Sequence, residues 1–231
     1  MIQNYNDFIK TLLDAGFSMA GGNDDGIYAV IPWGWLEDRP YGSPIAWHTG
    51  DFETDPWEWR IRVLDERDDI AYAKLFFKKT GFITKDWYHY FLAARRGAMS
   101  FRELYEDGKM SHFAKRIYDT LTEYQVLASH EIKELASFSR EDKAAFERAM
   151  VELQMSMFIT TCGARQKVSQ TGEEYGWSSA VFCTVEQFFG ERMMDKAAQI
   201  NAEEAFETIR AQVYELNPKA DEKKVRKFVF G

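Results

Sequence analysis

The chain has 231 residues, 45% of them apolar and 29% charged, with a net charge of −8. That length suits one large domain or two small ones, and the acidic balance argues against a protein whose whole surface meets nucleic acid. No run approaches the roughly 20 apolar residues of a membrane helix, the start MIQNYNDFIK lacks a basic-then-apolar leader, and two cysteines (Cys162 and Cys183) form neither a disulfide framework nor a zinc set. A cytoplasmic protein with free thiols and no membrane partner is expected.

The charge is unevenly spread. Residues 1–59 hold two basic residues against ten acidic, residues 60–116 hold thirteen against eight, and residues 117–231 hold fourteen against nineteen. A basic middle third could meet a polyanion through one local face. Aromatic residues make up 16% of the chain, so the core should be built largely from rings.

In chain order, Asn6 is placed to cap a helix whose apolar face is Phe8, Ile9, Leu12 and Leu13, with Gly16 just past its end. Gly21 to Gly26 reads as a loop, Ile27–Trp35 as a short strand, and Leu36–Pro44 as irregular. Asp55 caps a helix that has Pro56 at its first position and Glu58 in its first turn, running to about Leu64. Ile70–Phe77, with Gly81 closing a turn before Phe82 and Ile83, reads as a hairpin with Lys78 and Lys79 at the tip. Thr84 caps an aromatic helix that ends on Arg95, Arg96 and Gly97, and Ser100 with Glu103 forms a capping box.

Farther on, helical spacing of Phe113, Ile117, Leu121 and Tyr124 predicts a helix over 112–126. Ser129 opens a second helix with Ile132 and Leu135 inward. Ser139 with Asp142 caps a third, which buries Phe146, Ala149, Met150, Leu153 and Met157. Phe158–Val168, a turn over Ser169–Gly176, and Trp177–Cys183 complete a hairpin that sets Cys162 opposite Cys183. Three helices and a hairpin in that order predict a winged helix-turn-helix. A short helix from Thr184, an amphipathic stretch over 192–216 broken near Asn201, and a basic helix from Asp221 follow. The expected fold is α+β: mostly helical, with winged helix-turn-helix unit(s) and short β-hairpins. The expected division is an aromatic-rich α+β domain (1–110), a winged-helix domain (111–190) and a C-terminal helical extension (191–231). No internal repeat is visible.

The stretch richest in chemistry is Trp47–Arg60, WHTGDFETDPWEWR, with three Trp, one His, four carboxylates and an Arg. Rings are costly to leave in water and carboxylates are costly to bury alone, so the segment walls a polar-lined pocket or braces a helix entry. On the pocket reading, Trp47, Trp57, Trp59 and Arg60 bind the ligand, and His48, Asp51 and Asp55 are the candidate catalytic groups. Lys78, Lys79, Lys85, Arg95 and Arg96 are the candidate phosphate holders. The four His (48, 89, 112 and 130) have no metal-ligand spacing, so no metal is expected, and no cofactor motif is present.

Together WHTGDFETDPWEWR, AYAKLFFKKTGFITKDW, ARRG, SFRELYEDGK and GEEYGW resemble the small bacterial AlkZ-related proteins, a family distantly similar to AlkZ-type DNA glycosylases. The resemblance implies a winged-helix architecture and a link to DNA binding or repair. It does not carry the glycosylase chemistry over. Those enzymes have a Gln-x-Gln or Gln-x-Asp motif near the chain start, and the nearest string here is Leu153-Gln154-Met155-Ser156. The expected function is therefore binding of nucleic acid or a small ligand in an aromatic–acidic pocket. A glycosylase acting on alkylated or crosslinked bases, and a scaffold that dimerises through helices 192–230, are the alternatives.

Overall fold

The structure, a computed structural model, describes residues 1–21, 26–36, 40–168 and 172–231. The expected loop over 21–26, the irregular stretch over 36–44 and the hairpin turn over 169–176 lie partly outside these residues. The fold is α+β, with helices around one six-stranded antiparallel sheet of order β1-β3-β2-β5-β6-β4.

The first helix, α1 (Tyr5–Ala15), is capped by Asn4, not Asn6: the Asn4 side chain accepts from the Asp7 amide. Gly16 ends it in the left-handed region, as its missing Cβ allows. Leu13, expected inward, is exposed. The short strand β1 (Phe17–Met19) follows directly. No strand forms over 27–35 among the described residues. That stretch instead lies beside β1, where the Met19 amide donates to the Tyr28 carbonyl and the Val30 amide to the Ser18 hydroxyl. It ends in a single 3₁₀ turn at Trp33–Leu36.

Helix α2 (Pro56–Glu66) starts at the expected Asp55 cap. The hairpin β2 (Ile70–Phe76) and β3 (Lys79–Thr84) turns at Phe77 and Lys78, both at positive φ, so Gly81 is not in the turn. Gly81 lies inside β3 because a Cβ there would strike the Phe76 ring and the Ser18 carbonyl. Helices α3 (Lys85–Arg95) and α4 (Phe101–Glu106) follow, the latter with the expected Ser100–Glu103 capping box.

Next come α5 (His112–Tyr124), a two-residue strand β4 (Leu127–Ala128), α6 (Ser129–Leu135), α7 (Lys143–Met155) and the hairpin β5 (Ile159–Val168) and β6 (Glu174–Thr184). Ile132 is inward as expected, while Leu135 and Tyr124 are exposed. The cysteines are not directly opposite. A bulge at Cys162 shifts the register, and Cys183 faces Thr160. Both thiols are free, and the Cys183 thiol hydrogen-bonds to Cys162, which lowers Cys162 and raises Cys183. Helices α8 (Val185–Phe189), α9 (Glu191–Ala198), α10 (Ala202–Leu216) and α11 (Glu222–Phe230) close the chain, with the expected break at Asn201, which caps α10.

The sheet has the same order read from either edge. β1-β3-β2 forms one half and β4-β6-β5 the other, and they meet at the Tyr72–Thr161 bridge. In each half a helix precedes a short strand, which pairs with the last strand of a hairpin. Each hairpin ends on a threonine, Thr84 or Thr184, that stands at the N-cap of the next helix. The chain therefore contains a structural repeat that its side chains do not spell out, since strand pairing is set by backbone hydrogen bonds and tolerates different side chains.

Three apolar cores support this frame. One face of the first half (Ala71, Ala73, Leu75, Ile83) packs on α3, α10 and α11. Its other face (Ile70, Tyr72, Phe82) meets α1 and α2. The second half packs on α4 to α7. Phe206, Ile209, Val213, Val225 and Phe228 are buried inside the chain, so the apolar faces of α10 and α11 are already covered by α3 and the sheet.

Candidate functional site

The stretch 47–60 folds around one carboxylate. Asp55 is fully buried, and its two oxygens accept from the backbone amides of His48, Thr49, Gly50 and Trp57 at 2.7–3.0 Å. It caps α2 and at the same time holds the 48–50 turn, in which His48 sits at positive φ. Asp51 is exposed and accepts from the Glu53 and Thr54 amides. Glu53 pairs with Arg62 at 2.8 Å. Three of the four carboxylates in this stretch thus organise the loop.

The tryptophans divide. Trp59 is fully buried between Tyr5 and Phe8, and its indole N–H donates to the Phe52 carbonyl at 3.0 Å. It is a core residue and faces no ligand. Trp57 is exposed and Trp47 half-buried. Trp47 stacks on Trp33 at 4.3 Å between centroids, His48 lies 4.8 Å from Trp57, and the Arg60 guanidinium covers Trp57 at 3.5 Å. The Arg60 Nε donates to the Trp57 carbonyl, which fixes it there. Gly21 makes room for the stacked pair, because a Cβ would lie 2.9 Å from Trp33 and 3.1 Å from Trp47.

These rings border a small recess that opens to solvent. Trp33, Trp47, Trp57 and Arg60 form its rim, and Tyr72 and Phe82 of the sheet line it. Asp51, Asp55 and His48 are not among its lining residues. The expected aromatic–acidic pocket is therefore aromatic and cationic. The Trp47 indole nitrogen is buried and has no acceptor among the described residues.

Beside the recess a wider groove crosses the sheet between α2 and α7. Arg60, Tyr72 and Thr80 line both. The groove side chains carry five cations (Arg60, Lys74, Lys78, Lys133, Arg148) against two carboxylates, Glu147 and Glu152, among the described residues. Glu152 is already bonded to the amide and hydroxyl of Ser111. Gln154 lies in the groove wall with both ends of its amide used. Its oxygen accepts from the Lys74 amide and its nitrogen donates to the Met150 carbonyl. That string joins α7 to β2.

The family model described as AlkZ related matches residues 2–230. The protein belongs to the AlkZ-related family. Comparison with curated proteins and with solved structures finds no match.

In this AlkZ-related chain the expected phosphate holders separate. Lys78 lines the groove. Lys79 and Lys85 are exposed but line neither cavity. Arg95 and Arg96 turn inward. Arg95 donates to the carbonyls of Val229, Phe228 and Met155 at 2.8–2.9 Å, clamping the C-terminal ends of α7 and α11. Burial pushes its guanidinium down to about 10, so it stays charged at neutral pH. Arg96 is buried against Glu186 at 2.7 Å and over the Phe158 ring. Neither guanidinium is free to meet a phosphate. Trp33, Lys74, Lys133 and Arg148 were missed. Trp33 sits in a Pro-Trp-Gly segment that reads as a strand end, and the three cations come together only when the halves of the sheet join.

Proposed function

We propose that the two similar halves are winged-helix units and that together they bind a nucleic-acid strand, with the phosphates in the groove and one unstacked base in the tryptophan recess. The observation that carries this reading is the meeting of recess and groove at Arg60, where a ring-sized slot adjoins a cation-lined path in a chain of net charge −8. Base stacking on aromatic side chains with cations along the backbone is the general means of holding single strands. The family relation to AlkZ-type proteins supports the same reading. Binding is favoured over excision because, among the described residues, no Asp, Glu or His side chain lines the recess.

The test is fluorescence anisotropy of a labelled single-stranded 12-mer over a salt series. The affinity should fall with salt, with a log–log slope of about −3.5 if all five groove cations meet phosphates. Trp57→Ala, which removes the ring that holds the Arg60 guanidinium at the mouth, should weaken binding about tenfold, or ~1.4 kcal/mol. Absence of binding at low salt would remove the reading.

A further inference from the structure

We infer that the recess selects an anionic or neutral ring with a hydrogen-bond-accepting edge and rejects cationic rings, with Arg60 and Trp47 as the specificity-determining residues. This rests on the reading of the recess as a ring-binding slot and names the chemistry of the ring.

An aromatic box with acidic neighbours ordinarily attracts cations, since the ring faces are electron-rich. Here that capacity is already used. The Trp57 face is covered by the chain's own cation, Arg60, at 3.5 Å. Trp33 and Trp47 are stacked on each other. Three carboxylates of the 47–60 stretch are engaged elsewhere: Asp55 accepts four backbone amides, Asp51 accepts two, and Glu53 is paired with Arg62. No Asp, Glu, Asn, Gln or His side chain lines the recess among the described residues. Its polar groups are therefore donors or hydroxyls. The buried Trp47 N–H has no acceptor among the described residues, and Arg60 stands fixed at the mouth. A ring with an acceptor on its edge satisfies the Trp47 N–H, which is otherwise buried without a partner. A negative group on the same ring meets Arg60. A cationic ring would satisfy neither and would face a like charge, with no carboxylate among the described lining residues.

The test uses three probes with the same ring: benzoate, benzamide and benzylammonium. Their affinities for the full chain are read from quenching of tryptophan fluorescence or from saturation-transfer NMR. Benzoate should bind at least about tenfold more tightly than benzylammonium, with benzamide between them. Raising NaCl from about 20 to 500 mM should shrink the benzoate advantage and leave benzamide unchanged. Arg60→Met should bring benzoate to within about twofold of benzamide. Trp47→Phe, which keeps a ring and removes the N–H, should weaken benzamide without lowering the thermal midpoint. A merely structural Trp47 would give the reverse. If benzylammonium binds the wild-type protein as well as benzoate, the inference falls while the ring-binding reading stands. If none of the three binds, both fall.

Discussion

The recess rim and the junction of α3, α7 and α11 are built from the same pieces, an arginine lying on an aromatic ring, yet they do opposite things. Arg60 covers Trp57 and uses one N–H on the Trp57 carbonyl, with the rest of its guanidinium facing the recess and the groove. Arg95 and Arg96 also lie near rings, but the three Arg95 nitrogens end on carbonyls, and one Arg96 nitrogen ends on Glu186 and the Met194 sulfur while its Nε is buried with no partner among the described residues. The difference is one of hydrogen-bond use, not of residue type. A guanidinium whose donors are consumed inside holds the fold, and one with donors left over can meet a ligand.

Four substitutions sharpen that contrast, in descending order of effect on stability. Arg95→Met should cost about 3 kcal/mol or more, because three buried carbonyls at the ends of α7 and α11 lose a charged donor. Urea unfolding would measure it. Asp55→Ala should cost about 2–3 kcal/mol through loss of the α2 cap and of the acceptor for the 48–50 turn, with a change in the fluorescence of Trp57 as the loop loosens. Gln154→Leu should cost about 1–2 kcal/mol by leaving the Lys74 amide without its acceptor. Arg60→Met should change stability by about 0.5 kcal/mol or less, while weakening strand binding and lowering the salt slope by about 0.7. An Arg60 variant as unstable as the Arg95 variant would erase the distinction between rim and clamp. An Arg95 variant of normal stability with weakened strand binding would reverse it.

The helix borders were largely legible in the sequence because caps are local. Asp55 with Pro56, Ser100 with Glu103, and Thr184 each act within three residues, and each caps a helix where expected. Asn4 was passed over for Asn6, a choice between two equal caps two residues apart that the packing of Tyr5 into the core settles. The tryptophan stretch was legible as a dense run of rings and charges, but the partners of its acids were not. Its acids look like pocket groups because their spacing does not reveal that they accept from their own backbone.

By itself the sequence determined the helix starts, the two hairpins, the aromatic make-up of the core and the membership of the AlkZ-related family, all of which rest on neighbouring residues or on the whole string of side chains. Only the tertiary structure decided that the hairpins join in one sheet through Tyr72 and Thr161, that Trp59 and Asp55 are interior while Trp57 and Arg60 are not, and that Lys74, Lys133 and Arg148 share a groove. The reason is separation along the chain. The Arg95 guanidinium finds its acceptors 60 to 134 residues away. No local pattern states which polar group a folded chain will bring within 3 Å of it.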